Sequence, residues 1–282
     1  MATHNPLPIF AFGNMRFARI AENWVVHILK CKIHEFEIFC HDTELQSFLR
    51  SRFPEHTEKF IFNADTVFDI NPERITQYFQ FRKVLFHKLL IEHSEYIFSD
   101  LDAIGLSDVR NSFREPGADF VLQKVTHFKA LPSHVRKKIG FTVCMGLWYV
   151  KNTQSVIKLF EDFINDNEPD DQKSMNDILF GRVEVKILEG DRKPKYWNAH
   201  NVSCAALSED LMQRPFYRRH YRRQILNPNG IVHPVVKKGM DPVYVLQKDD
   251  LWSPKTATNI KWSIISTAYQ KYKKIRFFIF AS

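Results

Sequence analysis

The chain has 282 residues, a length that permits one large domain or two small ones. Of these residues, 44% are hydrophobic and 26% are charged, which is ordinary for a globular protein. No segment approaches the roughly 18 consecutive apolar residues of a membrane span, and the first residues lack the pattern of a signal peptide. We therefore expect a cytoplasmic protein without a transmembrane segment. The formal net charge of +8 favours anionic partners without choosing among them.

Strand-like and helix-like patterns alternate along the first part of the chain. The predicted strands are Pro8–Phe12, Glu35–Cys40, Phe60–Phe62, Ile97–Ser99, Phe120–Gln123 and Val143–Val150. The predicted helices are Ala18–Lys30, Thr43–Arg50, Ile75–Glu92 and one that follows Asn152 and Thr153 and ends near Asn165. Repeated β-α-β units with short links predict an α/β fold, a mostly parallel sheet flanked by helices. After Asp171 the pattern is irregular, so we predict a single domain over residues 1–282 with an irregular C-terminal part.

Two carboxylates follow the predicted strand Ile97–Ser99. Asp100 and Asp102 are two positions apart, and in an extended backbone their side chains would lie on one face. Two hard oxygen ligands at the carboxyl end of a strand suit a divalent cation that keeps positions open for phosphate oxygens. This motif predicts metal-assisted chemistry on a diphosphate substrate. The alternative is that the motif forms only a turn.

Other polar residues could complete such a site. Arg82 and Lys83, in the helix before this strand, either reach the carboxylates or form a solvated basic face. Gly146 lies inside a predicted strand, where glycine often marks the close approach of a ligand or another backbone. Asp171 either caps a helix or points into the site.

A histidine and a basic segment lie near the C-terminal end. His233 follows a short β run and is a candidate third metal ligand. Lys237 and Lys238 could hold a diphosphate as point charges, and Gly239 could allow a close backbone approach.

These residues occur in the order found in a known family. Over roughly residues 8–252 the chain resembles the GT-A fold nucleotide-diphospho-sugar transferases. The motifs that carry the resemblance are Asn23-Trp24, Arg82-Lys83, Asp100-Leu101-Asp102, the strand containing Gly146, Asp171-Gln172 and His233.

The resemblance implies a Rossmann-like GT-A glycosyltransferase, with a donor-binding half at about residues 1–110 and an acceptor half at about 111–282. It implies transfer of a sugar from a UDP-sugar to a hydroxyl of a glycan or glycoprotein, with Mn²⁺ or Mg²⁺ as cofactor. Asp102 would bind the metal directly, Asp100 would bind the ribose or the metal through water, and His233 would complete the metal site.

The donor-binding residues that we predict are Ala11, Phe12, Gly13, Asn14, Arg82, Lys83, Asp100, Leu101, Gly146, Gln172, Lys237, Lys238 and Gly239. Asp171 is the candidate catalytic residue, a general base if the reaction inverts the anomeric carbon. The chain departs from the family at Cys144-Met145, where Asn is common, and it lacks an acidic residue at 124–126. The donor sugar and the stereochemistry therefore stay open.

Two other functions are compatible with the sequence. Arg214–Arg223 interleaves cations with aromatic residues, as nucleic-acid or polyanion-binding proteins do, although no recognised binding module surrounds it and we expect no nucleic-acid partner. A catalytically inactive glycosyltransferase-like subunit is the other alternative.

Overall fold

The structure, a computed structural model, describes residues 6–62, 75–126, 131–181, 195–213 and 227–234, together with residues 243, 246, 251 and 252. All of these belong to one unit of the chain, Met1–Trp252. The strands are β1 (Ile9–Gly13), β2 (Phe36–Cys40), β3 (Phe60–Phe62), β4 (Glu95–Ser99), β5 (Ile104–Gly105), β6 (Phe120–Val125), β7 (Thr142–Lys151), β8 (Lys195–Ala199), β9 (Val202–Leu207), β10 (Met212–Gln213) and β11 (Ile231–Val232).

The helices match the prediction closely in the first half of the chain. They are α1 (Ala18–Lys30), α2 (Thr43–Arg52), α3 (Ile75–Glu92), α4 (Arg110–Arg114), α5 (Ser133–Ile139), α6 (Gln154–Asn165) and α7 (Asp171–Asn176). Short 3-10 helices cover Met15–Phe17 and Pro54–Lys59, and a π-helical turn covers Asp177–Gly181.

Eight strands form the central sheet, in the order β3-β2-β1-β4-β7-β6-β9-β8. Four neighbouring pairs are parallel (β3-β2, β2-β1, β1-β4 and β6-β9), and three are antiparallel (β4-β7, β7-β6 and β9-β8). The predicted α/β fold with a mostly parallel sheet is confirmed. A second sheet of three short strands, in the order β10-β11-β5, was not predicted.

Each face of the central sheet has its own apolar core. Along β1, Ile9 and Ala11 pack with residues of α1 and α2, whereas Phe10 and Phe12 pack with residues of α3 and α6 on the opposite face. Because side chains alternate along a strand, a continuously apolar strand is buried on both faces. This explains why β1, β4 and β7 read as unbroken apolar runs in the sequence.

Aspartate side chains cap the helices α2 and α7. The Asp42 carboxylate accepts a hydrogen bond from the Leu45 amide (2.8 Å) at the start of α2. At the start of α7 the capping residue is Asp170, which accepts from the Lys173 amide (2.9 Å). Because Asp170 satisfies the helix end, the carboxylate of Asp171 is left for another contact.

Some of the predicted segments lie outside the described residues. These are the basic and aromatic cluster Arg214–Arg223 and residues 260–280, whose basic run beside an apolar end predicted either a terminal helix and strand or a membrane-surface element. In the part of the chain that the structure describes, no helix has the length and apolar character needed to cross a membrane.

Trp148 is the centre of an aromatic cluster beneath the carboxyl end of β4. It is fully buried, with its ring centroid 4.9 Å from that of Phe86 and 5.6 Å from that of Phe98. Its indole N–H donates to the Met145 carbonyl (3.0 Å). Since Phe98 lies two residues before Asp100, this cluster holds the strand end that carries the carboxylates.

We predict that Trp148→Ala lowers the free energy of unfolding by about 3–5 kcal/mol, because it leaves a large cavity among packed rings. Val84→Ala is the control, since Val84 is 49% exposed. That control should change the free energy by about 0.5 kcal/mol or less. Urea denaturation measures both, and equal losses in the two variants would contradict the packing described above.

Candidate active site

Asp100 and Asp102 lie at the carboxyl end of β4, near the middle of the central sheet. The backbone here is a turn, in which the Ala103 amide donates to the Asp100 carbonyl (3.0 Å). The extended backbone that we considered for this motif is therefore wrong, since the two carboxylates lie on a turn. Both carboxylates are partly exposed (28% and 25%), so the turn still presents them to a ligand.

His233 reaches these carboxylates through the small three-stranded sheet. β5 begins two residues after Asp102, and Ile104 of β5 pairs with Val232, the residue before His233. Nε2 of the His233 imidazole consequently lies 3.3 Å from Asp102 Oδ1 and 3.9 Å from Asp100 Oδ2. This ladder brings two distant parts of the sequence to one point.

The three side chains suit a divalent cation. One ligand atom each from Asp100, Asp102 and His233 lie within 4.8 Å of one another. Among the described residues this is the single group of three or more His, Cys, Asp or Glu side chains with such spacing. Two carboxylate oxygens and an imidazole nitrogen are ligands of Mn²⁺, and oxygen-rich sets also accept Mg²⁺.

Gly146 leaves the space that these side chains occupy. A Cβ atom added there would lie 2.5 Å from His233 Cε1 and closer still to Asp100 Oδ2. The Gly146 carbonyl also accepts a hydrogen bond from the Asp100 amide (2.6 Å). The strand glycine thus marks a close approach by the side chains of Asp100 and His233, whereas the sequence indicated the approach of a ligand or of another backbone.

A buried guanidinium connects Asp100 to Asp171. Arg82 Nη2 lies 3.3 Å from Asp100 Oδ1, and Arg82 Nε lies 2.9 Å from Asp171 Oδ2, without the alignment of a hydrogen bond. Nη2 also donates to the Met145 carbonyl (2.9 Å). Burial opposes the charge, but the carboxylates of Asp171 and Asp100 outweigh it and raise the pKa of Arg82.

Asp171 lies on the far side of this guanidinium. Its side chain is 5% exposed, and burial raises its pKa to about 6 against the opposing influence of Arg82. Because Asp170 caps α7, the predicted alternative that Asp171 is the cap is wrong. The Asp171 carboxylate instead faces the guanidinium of Arg82, behind the carboxyl end of β4.

A cavity of about 180 Å³ opens beside the carboxylates. One part of its wall is apolar and the other is polar and charged. The residues that line it are Phe12, Phe17, Ile20, Tyr78, Arg82, Asp100, Leu101 and Asp102.

Four of the predicted donor-binding residues line this cavity, namely Phe12, Arg82, Asp100 and Leu101. Ala11 instead packs in the core on the other face of the sheet. Gly13 is the last residue of β1, and Asn14 follows it. The Asn14 side chain accepts from the Arg16 amide (3.2 Å), so it shapes the loop.

Lys83 faces away from the carboxylates, so the prediction that it contacts the donor is wrong. Its ammonium donates to the carbonyls of Asp166 (3.1 Å) and Glu168 (2.8 Å) after α6. Burial lowers the pKa of Lys83. Arg82 and Lys83 are neighbours on a helix, where successive side chains point in different directions, so only one of them faces the carboxylates.

The other predicted contacts lie apart from the cavity or outside the described residues. Gln172 donates from its amide to the Leu131 carbonyl (3.0 Å). Lys237, Lys238 and Gly239 are outside the residues that the structure describes.

Sequence reasoning missed Tyr78, Phe17 and Ile20 in the cavity wall. Tyr78 lies four residues before Arg82 on α3 and so shares its helix face, a spacing that could have identified it. Burial raises the pKa of Tyr78, so its hydroxyl stays protonated and able to donate a hydrogen bond. Phe17 and Ile20 carried no signal beyond apolar spacing.

Comparisons with known proteins identify the family of this chain. Residues 31–269 match the nucleotide-diphospho-sugar transferase family, and the chain belongs to that family. This membership confirms the predicted enzyme class, a glycosyltransferase. None of the curated protein sequences matches the chain.

A solved xylosyltransferase shares the fold, and the chain is also similar to two other solved glycosyltransferases. Mouse xyloside xylosyltransferase 1 is similar at 12% identity with a TM-score of 0.51, over 80% of this chain and 97% of that one. The galactosyltransferase LgtC is similar at 8% identity with a TM-score of 0.45, over 74% of this chain and 76% of that one. The bifunctional glycosyltransferase WbbM is similar at 13% identity with a TM-score of 0.46, over 76% of this chain, which spans 40% of the length of WbbM.

We predict that Gly146→Ala weakens Mn²⁺ binding by about 10- to 100-fold, because overpacking of about 1–3 kcal/mol displaces Asp100 and His233. Titration calorimetry measures the affinity. Gly181→Ala is the matched control, since its added Cβ meets atoms no closer than 3.7 Å. Wild-type affinity in Gly146→Ala would contradict the close approach.

We predict that Arg82→Met lowers the free energy of unfolding by about 3–5 kcal/mol, because the buried Asp171 loses its cation. Adding Asp171→Asn should recover part of this loss by removing the uncompensated charge. Lys88→Met on the same helix removes only a surface pair and should cost about 0–1 kcal/mol. Chemical denaturation compares the variants, and a double variant no more stable than Arg82→Met would contradict the network.

Proposed function

We propose that the protein is a metal-dependent glycosyltransferase that moves a sugar from a UDP-sugar to a hydroxyl of a glycan or glycoprotein. The observation that carries this proposal is the convergence of Asp100, Asp102 and His233 at the edge of a cavity that also presents Arg82. Membership of the nucleotide-diphospho-sugar transferase family supports the class of donor. Beyond the family, we propose which metal is bound, that the nucleoside of the donor is uridine, and which class of acceptor receives the sugar.

Mn²⁺, or Mg²⁺, would be held by the two carboxylates and by Nε2 of His233. The metal, when bound, neutralises the charge that develops on the diphosphate leaving group. The protein supplies ligands from both predicted halves of the chain, with Asp100 and Asp102 from the donor half and His233 from the acceptor half. Arg82 lies 3.3 Å from Asp100, and the family resemblance suggests Asp102 as the direct ligand.

The apolar wall of the cavity suits the nucleoside. Phe12 and Phe17 offer aromatic surface to a base, and the protonated hydroxyl of Tyr78 offers a hydrogen bond to the ribose or the diphosphate. Phe12 lies at the end of β1, next to the carboxyl end of β4, so a nucleoside on this wall places its phosphates near Asp102. Uridine is proposed because it is the usual base among metal-dependent relatives.

Arg82 and Asp171 are the charged residues to which we assign roles toward the donor and the acceptor. Arg82 reaches the cavity wall, where its positive charge faces an anionic donor. A pKa of about 6 for Asp171 suits a general base for the acceptor hydroxyl. Its contact with Arg82 favours a second role, in which it orients the guanidinium, and general-base catalysis stays a prediction.

The basic residues after His233 complete the proposal. Lys237, Lys238 and Gly239 follow His233 by four, five and six residues, and we keep them as candidate ligands of the diphosphate. Gln172 follows Asp171 directly and remains a candidate donor contact. Both assignments rest on the sequence and on the family resemblance.

We predict that UDP together with Mn²⁺ raises the melting temperature of the wild-type protein, and that Asp102→Ala abolishes the metal-dependent part of this rise. A ligand at 100 times its dissociation constant stabilises the native state by about 2.7 kcal/mol. Asp162→Ala, an exposed carboxylate on α6, is the control and should behave as the wild type. A thermal-shift titration with and without Mn²⁺ makes the measurement.

An unchanged metal-dependent shift in Asp102→Ala would refute the proposed metal site. Donor binding without transfer or hydrolysis, for every acceptor tried, would favour the inactive subunit. Salt-sensitive binding of oligonucleotides, with no nucleotide-induced shift, would favour the nucleic-acid alternative.

A further inference from the structure

One buried contact of His233 lies on the side of its ring that faces away from the carboxylates. His233 Nδ1 is 2.8 Å from Oε1 of Gln123 on β6. The Gln123 side chain is fully buried and His233 is 4% exposed, so no bulk water competes for this contact. Gln123 takes part in none of the predicted motifs.

The surroundings of Gln123 determine which of its amide atoms faces the histidine. Its Nε2 lies 3.5 Å from the Met212 carbonyl, an acceptor, and Oε1 therefore faces His233. A carboxamide oxygen can only accept a hydrogen bond. The ring nitrogen Nδ1 must then carry the proton that it donates to Gln123.

A bulge in the central sheet produces this arrangement. Leu122 of β6 pairs with Trp148 of β7, whereas the next residue, Gln123, pairs with Cys144. The residues of β7 skipped by this shift include Gly146, whose amide donates to the Cys144 sulfur (3.4 Å). The same irregularity therefore places Gln123 beside His233 and provides the space at Gly146 for Asp100.

We propose that Gln123 is a positioning residue for the metal site. It holds the proton of His233 on Nδ1, so that the lone pair of Nε2 points to the space shared with Asp100 and Asp102. This inference rests on the proposed function for its metal. Partners on the other ring nitrogen orient metal-binding histidines and set their tautomer in general.

The other tautomer would close the site. With its proton on Nε2, His233 would donate to Asp102 Oδ1, which is 3.3 Å away, and no lone pair would remain there for a cation. Among the described residues, Nδ1 also lies 4.0 Å from the Cys144 sulfur, a weak hydrogen-bonding partner at a long distance. The shorter contact, at 2.8 Å, is the one with Gln123, which favours the tautomer with the proton on Nδ1.

The test combines histidine ring ¹⁵N NMR with Mn²⁺ titration. Gln123→Met keeps the side-chain length and removes the carbonyl acceptor, whereas Gln123→Glu keeps an acceptor. Cys144→Ala tests the competing partner, and Gln80→Met is the control, since Gln80 is an exposed glutamine that bonds the Ile164 carbonyl on α6. Spectra are recorded without metal at about pH 9, above the ordinary titration of imidazole. The His233 signals are those missing in His233→Asn.

We expect Nδ1 of His233 to carry the proton in the wild type, Gln123→Glu, Cys144→Ala and Gln80→Met. In Gln123→Met the proton should no longer be held on Nδ1, and the Mn²⁺ dissociation constant should rise about 10- to 100-fold. Circular dichroism melting confirms that each variant is folded. If Gln123→Met unfolds, the comparison of wild type with Gln123→Glu and Cys144→Ala still decides which acceptor holds the ring.

An Nε2-protonated ring in the wild type would overturn the proposal. So would a Gln123→Met variant with the wild-type ring pattern and Mn²⁺ affinity, or a ring pattern that changes only in Cys144→Ala. A wild-type protein that binds no divalent cation would overturn the proposed metal function instead. The ring measurement is made without metal, so it would still decide whether Gln123 holds the proton on Nδ1.

Discussion

The buried guanidinium of Arg82 is the interaction on which the site depends. It bridges Asp100 at the end of β4 and Asp171 at the start of α7, with its central carbon 5.2–5.4 Å from the ring centroids of Phe12, Phe86 and Phe98. A cation removed from water needs such compensation, since desolvation of an ion costs several kcal/mol. The network in turn holds Asp100 so that its other oxygen faces His233.

Two irregular features of the fold bring together the three candidate metal ligands, Asp100, Asp102 and His233. The bulge in β7 brings Gly146 beside Asp100 and allows Asp100 and His233 to approach each other. The short pairing of β5 with β11 brings the backbone of His233 to the turn after Asp102. Each feature involves only a few residues, yet the three ligands would not meet without them. Catalytic sites at the carboxyl ends of α/β sheets commonly combine a regular sheet with such irregular connections.

The regular elements of the first half were predictable because their signals are local. The spacing of apolar residues located α1 and α3 at their observed bounds, and β7 extends the prediction by one residue at each end. The prediction missed α4, α5, β8, β9 and the two-residue strands β5 and β10, whereas the short β run expected before His233 is β11. An element of two residues has no periodicity, and its existence depends on the partner strand that packing brings to it.

The sequence by itself indicated the chemistry of the site: a helix with Arg82 and Lys83, then two carboxylates after an apolar strand, and finally a histidine in a late β run. Those residue types, in that order, indicate the enzyme family. Only the tertiary structure decided that Arg82 faces the carboxylates while Lys83 binds carbonyls, and that Gln123 contacts His233. The physical reason is that residue chemistry and periodicity are properties of a short segment, whereas the direction of a side chain depends on how distant segments pack.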